Sequence, residues 1–379
     1  MKKRLIRIKA IVKKETRQLS RDIRMLGVIF FFPVFLLMMF GYAINFDVQH
    51  IKIAVYDLDR TSTSRNFIRS LTSSKYFDLV TYLTTDKQIK EYLDENRAQC
   101  IIVIPRNLSS ELIANRTAKI QYLINGVDGN TATNILNYVR IATMSYSEKF
   151  QHNILIKRGM NSYQPLQLEP RFWFNPELKS THFLLPGLIG MILIIVSVVT
   201  ISLSIVREKE KGSIEQINVS PLNIAELMIG KIIPYTVIAL INAALILIAG
   251  YLLFDITVKG SFFWLITCIL IYIFSSLSMG LLVSTISDTQ EVAFQLGALL
   301  SMLPSMLLSG FIFPLESTPV VIQIFSNITP AKFFIICMRT ILLKGEGIAV
   351  FWDQLLYMLL FSAIMLLIAG KRYIKKAVV

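Results

Sequence analysis

Long apolar runs separated by polar stretches set the layout of this chain of 379 residues. Six runs, at about 25–44, 183–206, 232–254, 262–286, 292–313 and 351–370, are near or above the roughly 20 residues that a bilayer-spanning helix needs. Between the fifth and sixth, residues 314–350 hold apolar pieces too short to span. Val320 to Ile328 and Phe333 to Leu343 read there as re-entrant or interfacial helices on the outer side. Ahead of the first run, residues 1–24 repeat Leu5, Ile8, Val12, Leu19 and Ile23 among basic side chains. That is the pattern of an amphipathic helix lying in the headgroup plane.

The polar segment 45–182 alternates differently. KIAVYD (Lys52 to Asp57), FDLVTYL (Phe77 to Leu83), CIIVIP (Cys100 to Pro105) and KIQYLIN (Lys119 to Asn125) read as short strands. Thr63 to Leu71, Asp86 to Asn96 and Leu108 to Asn115 read as the helices between them, and about 131–158 as a longer one leading back to the membrane. Strand–helix alternation predicts a small α/β domain with a largely parallel sheet. The expected fold is therefore an α-helical polytopic membrane protein with six transmembrane helices, carrying an inserted extracytoplasmic α/β domain between spans one and two.

Composition agrees. The chain is 54% hydrophobic and only 17% charged, against about 25% charged in a typical soluble domain. Its net charge of +14 sits beside the spans, in 1–24 and in the tail 371–379 with Lys371, Arg372, Lys375 and Lys376. Charge placed so reads as a contact with membrane lipid and argues against nucleic-acid binding. Six spans put both termini on one side, and the basic bias makes that side the cytoplasm of a bacterial inner membrane. The α/β domain then lies outside and the loop 207–231 inside.

That loop carries helix punctuation. Gly212 stops the helix leaving the membrane; Ser213 and Gln216 form an S-x-x-Q capping box; Ser220 and Pro221 give a second start. The result is a short helix lying across the ends of two membrane helices. The same signals would serve an ordinary cytoplasmic hairpin.

The run REKEKGSIEQINVSPLNIAELMIGKIIPY, Arg207 to Tyr235, resembles the signature loop of ABC-2 type transporter permeases. SGFIFPLESTPVVIQIFSNITPAKFFIICMRTILLKGEG (Ser309 to Gly347) and RFWFNPELKSTHFLLPG (Arg171 to Gly187) resemble the same family, in its subset with a large outer domain. The resemblance implies the permease subunit of an ATP-driven exporter. Its coupling segment, Glu208 to Pro221, would seat in a cytoplasmic ABC ATPase subunit. The residues implied are Glu208, Lys209, Glu210, Gly212, Ser213, Glu215, Gln216, Ser220 and Pro221. It also implies a second permease subunit, as a homo- or heterodimer, with the substrate route near their interface. A periplasmic adaptor would be a further partner of the outer domain. Drug-like, lipidic and glycan substrates all stay open.

Catalytic chemistry is missing from the sequence. Gly230–Lys231 is followed by Ile232, and Ala225 stands where a phosphate loop needs its first glycine, so ATP and Mg belong to the partner. This chain is expected to bind no cofactor. His50, His152 and His182 are too scattered for a metal site. Ser275, Ser276 and Ser278 have no histidine in their spans to activate them. Asp57 and Asp59 read as a solvated turn, and Cys100, Cys268 and Cys337 as buried apolar side chains. Asn242 and Gln295 lie inside spans, where polar groups are costly, and suit either helix–helix hydrogen bonds or a substrate path. Pro33 and Pro304 could bend helices along that path or be static kinks. No acid lies at mid-depth in a span, which argues against a proton relay. The alternative class is a membrane sensor or mechanotransmitter whose outer domain binds a ligand; accumulation of substrate in inverted vesicles would separate the two.

Overall fold

The computed structural model describes residues 2–43, 50–74, 76–114, 116–157, 173–175, 180–212 and 223–378. The chain divides into two compact units, Met1–Asn45 with Arg171–Val379, and Phe46–Pro170.

The helical unit begins with α1 (Lys2–Arg21) and α2 (Ile23–Ala43) and continues with α7 (Ser180–Glu210), α8 (Ile224–Phe254), α9 (Phe262–Ile286) and α10 (Gln290–Leu307). It ends with the short helices α11 (Val320–Ser326) and α12 (Pro330–Arg339), then α13 (Trp352–Val378). Among the described residues, five helices are long and apolar enough to cross a membrane: α2, α7, α8, α9 and α13. The expected span at 292–313 is shorter than its apolar run. α10 has 18 residues, includes Gln290, Glu291 and Gln295, and stops at Leu307. Within 314–350, α11 and the helical stretch from Pro330 to Lys344 are bent by 88°, as a broken span or a re-entrant loop would be; counted as one span, that pair would be a sixth.

α7 is the hub. It packs against α2, α8, α9, α10 and α12 and is buried along nearly all its apolar length. The bent pair is pinned to it through α12. The Tyr272 ring of α9 stacks on Phe334 of α12 at 3.9 Å between centroids, and its hydroxyl donates to the Gly190 carbonyl of α7 at 2.9 Å. Arg339 donates to the carbonyls of Phe183 (3.1 Å) and Gly310 (2.9 Å) and lies 3.8 Å from the centre of the Phe183 ring. The span serines tie helices or bond their own backbone: Ser275 meets Ser362 of α13 at 2.8 Å, and Ser276 and Ser278 donate to carbonyls one turn back.

The second unit holds β1 (Ile51–Asp57), β2 (Phe77–Tyr82), β3 (Cys100–Ile104) and β4 (Gln121–Ile124) in the order β2-β1-β3-β4. β1 runs parallel to β2 and β3, and β4 is antiparallel to β3. Connecting helices are α3 (Ser62–Thr72), α4 (Asp86–Asp94) and α5 (Leu108–Ile113), followed by α6 (Gly129–Lys157). Strand periodicity sorts the side chains. Ile51, Ile53, Val55, Cys100 and Ile102 meet Phe67, Leu71, Ile135 and Val139 on one face. Ala54 and Ile101 meet Ile89, Tyr92 and Leu93 on the other. Asp57 is a turn residue as expected: it accepts from the N–H of Asp59 and of Arg60, both at 3.0 Å, and from the Ser64 hydroxyl at 2.7 Å.

Candidate functional site

At one end of the helical unit, charged side chains brace both arms of the segment that joins α7 to α8. The apolar sequence of α7 ends at Val206, and the next four residues all find polar partners inside the chain. Arg207 pairs with Asp22 at 3.3 Å and donates to the Gln290 side chain at 3.1 Å. Lys209 Nζ donates to the carbonyls of Ser284 (2.5 Å) and Ser287 (3.0 Å) at the C-terminal end of α9, where a cation offsets the helix dipole. Glu210 accepts from the Gln290 backbone N–H at 2.7 Å and from its side-chain amide, at the N-terminal end of α10. Gly212 then ends the arm with φ of +67°, donating to the Lys209 carbonyl at 3.0 Å.

Glu208 turns inward instead. It is buried, 2.8 Å from the Lys231 ammonium of α8, and is also bonded by Lys14 of α1. Lys231 reaches Glu15 of α1 at 2.9 Å and the Ser204 hydroxyl of α7 at 3.2 Å. Ser204 donates to the other Glu15 oxygen at 3.2 Å. The side chains of Glu15 and Lys231 are each 2% exposed. Two carboxylates, one buried ammonium and one half-exposed lysine sum to zero charge, which makes burial tolerable. α1 comes this close because residue 230 is glycine: a Cβ there would stand 2.8 Å from Ile11. Tyr373 near the end of α13 lies within electrostatic reach of Glu208, so the first and last helices share this end of the bundle.

α8 starts on its own capping box. The Asn223 side chain accepts from the Ala225 N–H, and Glu226 accepts from the Asn223 N–H, both at 3.3 Å. Glu226 also faces Arg7 at 3.6 Å and Arg4 at 3.8 Å. The helix begins at Ile224, past the Ser220–Pro221 start that the sequence suggested, because Asn223 and Glu226 supply both halves of the cap. Ser213, Glu215, Gln216, Ser220 and Pro221 lie outside the described residues.

The four candidate path residues lie on α2, α8 and α10. Pro33 is buried in α2, and Gln295 is exposed on α10. Pro304 borders an apolar cavity of about 260 Å³ with Met279, Leu300 and Phe361. Asn242 of α8 is buried, and neither of its side-chain polar atoms has a hydrogen-bond partner among the described residues.

Sequence reasoning passed over Glu15, Asp22 and Lys231. A signal was present: Glu15 and Asp22 are the two acids in the basic segment 1–24, and both pair with basic residues of the bundle. The stripe on α1 also shifts. Ile11, Glu15 and Leu19 are its buried positions, whereas Leu5 is exposed, and Ile23, exposed as well, belongs to the start of α2. The α1 helix packs against α8 and leaves Lys9, Lys13, Arg17 and Arg21 exposed.

Membrane-spanning helices around a hub, with a separate α/β unit, define a polytopic membrane protein. Residues 23–371 match the family described as ABC-2 family transporter protein, and the chain belongs to that family. It is 30% identical to "Probable multidrug ABC transporter permease YbhS" of Escherichia coli K12, over 95% of this chain and 94% of that protein. It is 29% identical to "Probable multidrug ABC transporter permease YbhR" of the same strain, over 94% and 95%. "ABC transporter G family member 20" of Dictyostelium discoideum is 24% identical over 89% of this chain and 46% of its own length.

Proposed function

We propose that this chain is the permease subunit of an ATP-driven exporter, energised by a separate ABC ATPase that docks on the segment between Gly212 and Asn223. The observation that carries the reading is the double brace. The arm leaving α7 and the arm entering α8 meet in one buried ion cluster, Glu208–Lys231–Glu15. A push on the segment would move α7, and α7 packs against α2, α8, α9, α10 and α12. In this scheme Glu208 positions the arm and does not touch the ATPase, since its carboxylate is buried. The segment and both termini face the cytoplasm of a bacterial inner membrane, and the α/β unit faces outward. A second permease completes the transporter, as the family pattern suggests. Relatives with "multidrug" in their names favour a drug-like cargo over lipid or glycan.

The test is transport by the permease and its ATPase in reconstituted vesicles. Gly212→Pro removes the N–H that bonds Lys209 and replaces φ of +67° with about −65°. The variant is expected to insert normally, to retain ATP hydrolysis and to lose transport. Full transport by that variant would remove the segment from the coupling route.

A further inference from the structure

A second feature of the same end of the bundle has a different chemistry. Beside the ion cluster, where α1 gives way to α2, lies an open cleft of about 630 Å³. Its charged lining is Lys14, Arg21, Arg207 and Lys211 against Asp22 and Glu208. The two carboxylates are already matched, Asp22 by Arg207 at 3.3 Å and Glu208 by Lys231 at 2.8 Å and by Lys14. Arg21 and Lys211 are exposed and meet no carboxylate among the described residues. The cleft therefore keeps a surplus of two positive charges, one a guanidinium whose fork suits phosphate oxygens.

Its other wall is apolar. Ile23 lines the cleft and is 79% exposed. Ile23, Gly27, Phe31 and Phe35 follow one another at four-residue spacing, so they lie on one face of α2, about 6 Å apart along the helix. Phe31 and Phe35 are exposed and stacked at 5.8 Å, and a Cβ at Gly27 would meet nothing within 4 Å. A cationic cleft thus opens onto a bare apolar strip that runs from it along a membrane helix.

We infer that this composite surface is a binding site for an anionic phospholipid of the cytoplasmic leaflet. Arg21 and Lys211 hold the headgroup phosphate, and an acyl chain lies along Ile23–Gly27–Phe31–Phe35. A free phosphate would use the cleft and leave the strip idle; an amphiphile uses both. Basic pockets at the cytoplasmic ends of membrane helices are sites of this kind. The inference shares the orientation in the proposed function but needs no ATPase, so the two can fail separately.

The test uses the full chain in neutral phosphatidylcholine nanodiscs doped with phosphatidylglycerol carrying a photoactivatable acyl chain. Cross-links are expected at residues 23–35 of α2. Arg21→Gln with Lys211→Gln is expected to lower their yield roughly tenfold, while Lys9→Gln with Lys13→Gln, exposed basic residues outside the cleft, leaves it within about twofold. Size-exclusion chromatography confirms that both variants fold. Inorganic phosphate is expected not to compete; full competition would make the ligand a soluble phosphate and overturn the lipid. An equal loss in both double variants would reduce the site to a diffuse basic surface and also overturn it. So would a cleft variant that keeps its lipid and instead loses the ATPase subunit on co-purification, since the cleft would then dock protein.

Discussion

Lys231 of α8 sits 2.9 Å from Glu15 of α1, a pairing across 216 residues of sequence with both side chains buried. The same ammonium is 2.8 Å from Glu208. One lysine therefore bridges two carboxylates from two other helices, with Lys14 as the second cation beside Glu208, and this asymmetry sets the mutational response. Lys231→Met strands Glu15, leaves Glu208 to Lys14 alone, and is expected to cost about 3–5 kcal/mol, the usual penalty for orphaning a buried charge. Glu15→Gln leaves the Lys231–Glu208 pair intact and keeps a hydrogen-bonding group in place, so it should cost less than half as much. Thermal unfolding of the purified chain, followed by size-exclusion chromatography, gives the order. Equal losses for the two variants would show that Lys231 does not serve both acids.

Close approach of α1 depends on Gly230, where a side chain would collide with Ile11. Gly230→Val should lift α1 from α8 and weaken the Lys231–Glu15 contact without removing a charge. A spin-label pair on exposed Lys13 and Ile229 would report a distance increase in the variant. Gly230→Val with Ile11→Ala makes room for the new methyl groups and should restore most of the original distance. No change in the single variant would mean that the contact is looser than its geometry implies.

The spans and strands were legible because each is written in local periodicity: about 20 apolar residues for a bilayer helix, alternation for a strand in a sheet. α7 and β1 need no distant information to be recognised. The ion cluster is of another kind. Glu15, Glu208 and Lys231 come from helices far apart in sequence, and no local pattern marks their meeting. Gly230 and Lys231 were informative only as a failed phosphate loop, whereas in the fold one admits α1 and the other binds it. The α8 start was misplaced for a similar reason: Ser220–Pro221 and Asn223–Glu226 are both good start signals, and only the backbone decides between them.

Cys100 lies in β3 at the centre of the sheet, and burial pushes its thiol from 9.0 up to about 12. The folded unit therefore holds this proton between pH 9 and 12, while the unfolded chain releases it. Its contribution to stability is complete below pH 9 and falls as pH rises through that window, by about 1.4 kcal/mol per unit at most. Alkylation provides the measurement. In a Cys268→Ala, Cys337→Ala background, the rate at pH 9 should be roughly 500-fold below that of a free thiol, and should keep climbing toward pH 12. A plateau near pH 9 would show that Cys100 is not buried.

Glu226 joins two devices, the capping box of α8 and the pairing of α8 with Arg4 and Arg7. These respond differently to salt. The arginine pairs, at 3.6–3.8 Å with one partner partly exposed, are screened as ionic strength rises. The cap is a hydrogen bond to backbone and is not. Asn223→Ala should therefore destabilise the first turn of α8 by about 1 kcal/mol at any salt concentration. Glu226→Gln retains a side-chain acceptor for the cap and loses the ion pairs, so its defect should be evident in low salt and fade above about 0.5 M, where the Debye length is only a few Å. Hydrogen exchange at the N–H groups of residues 225–228 reads the first turn, and exchange along α1 reads the pairs. If Glu226→Gln frays α8 equally at every salt concentration, Glu226 acts through the cap alone, and α1 is held to α8 by Ile11, Glu15 and Leu19.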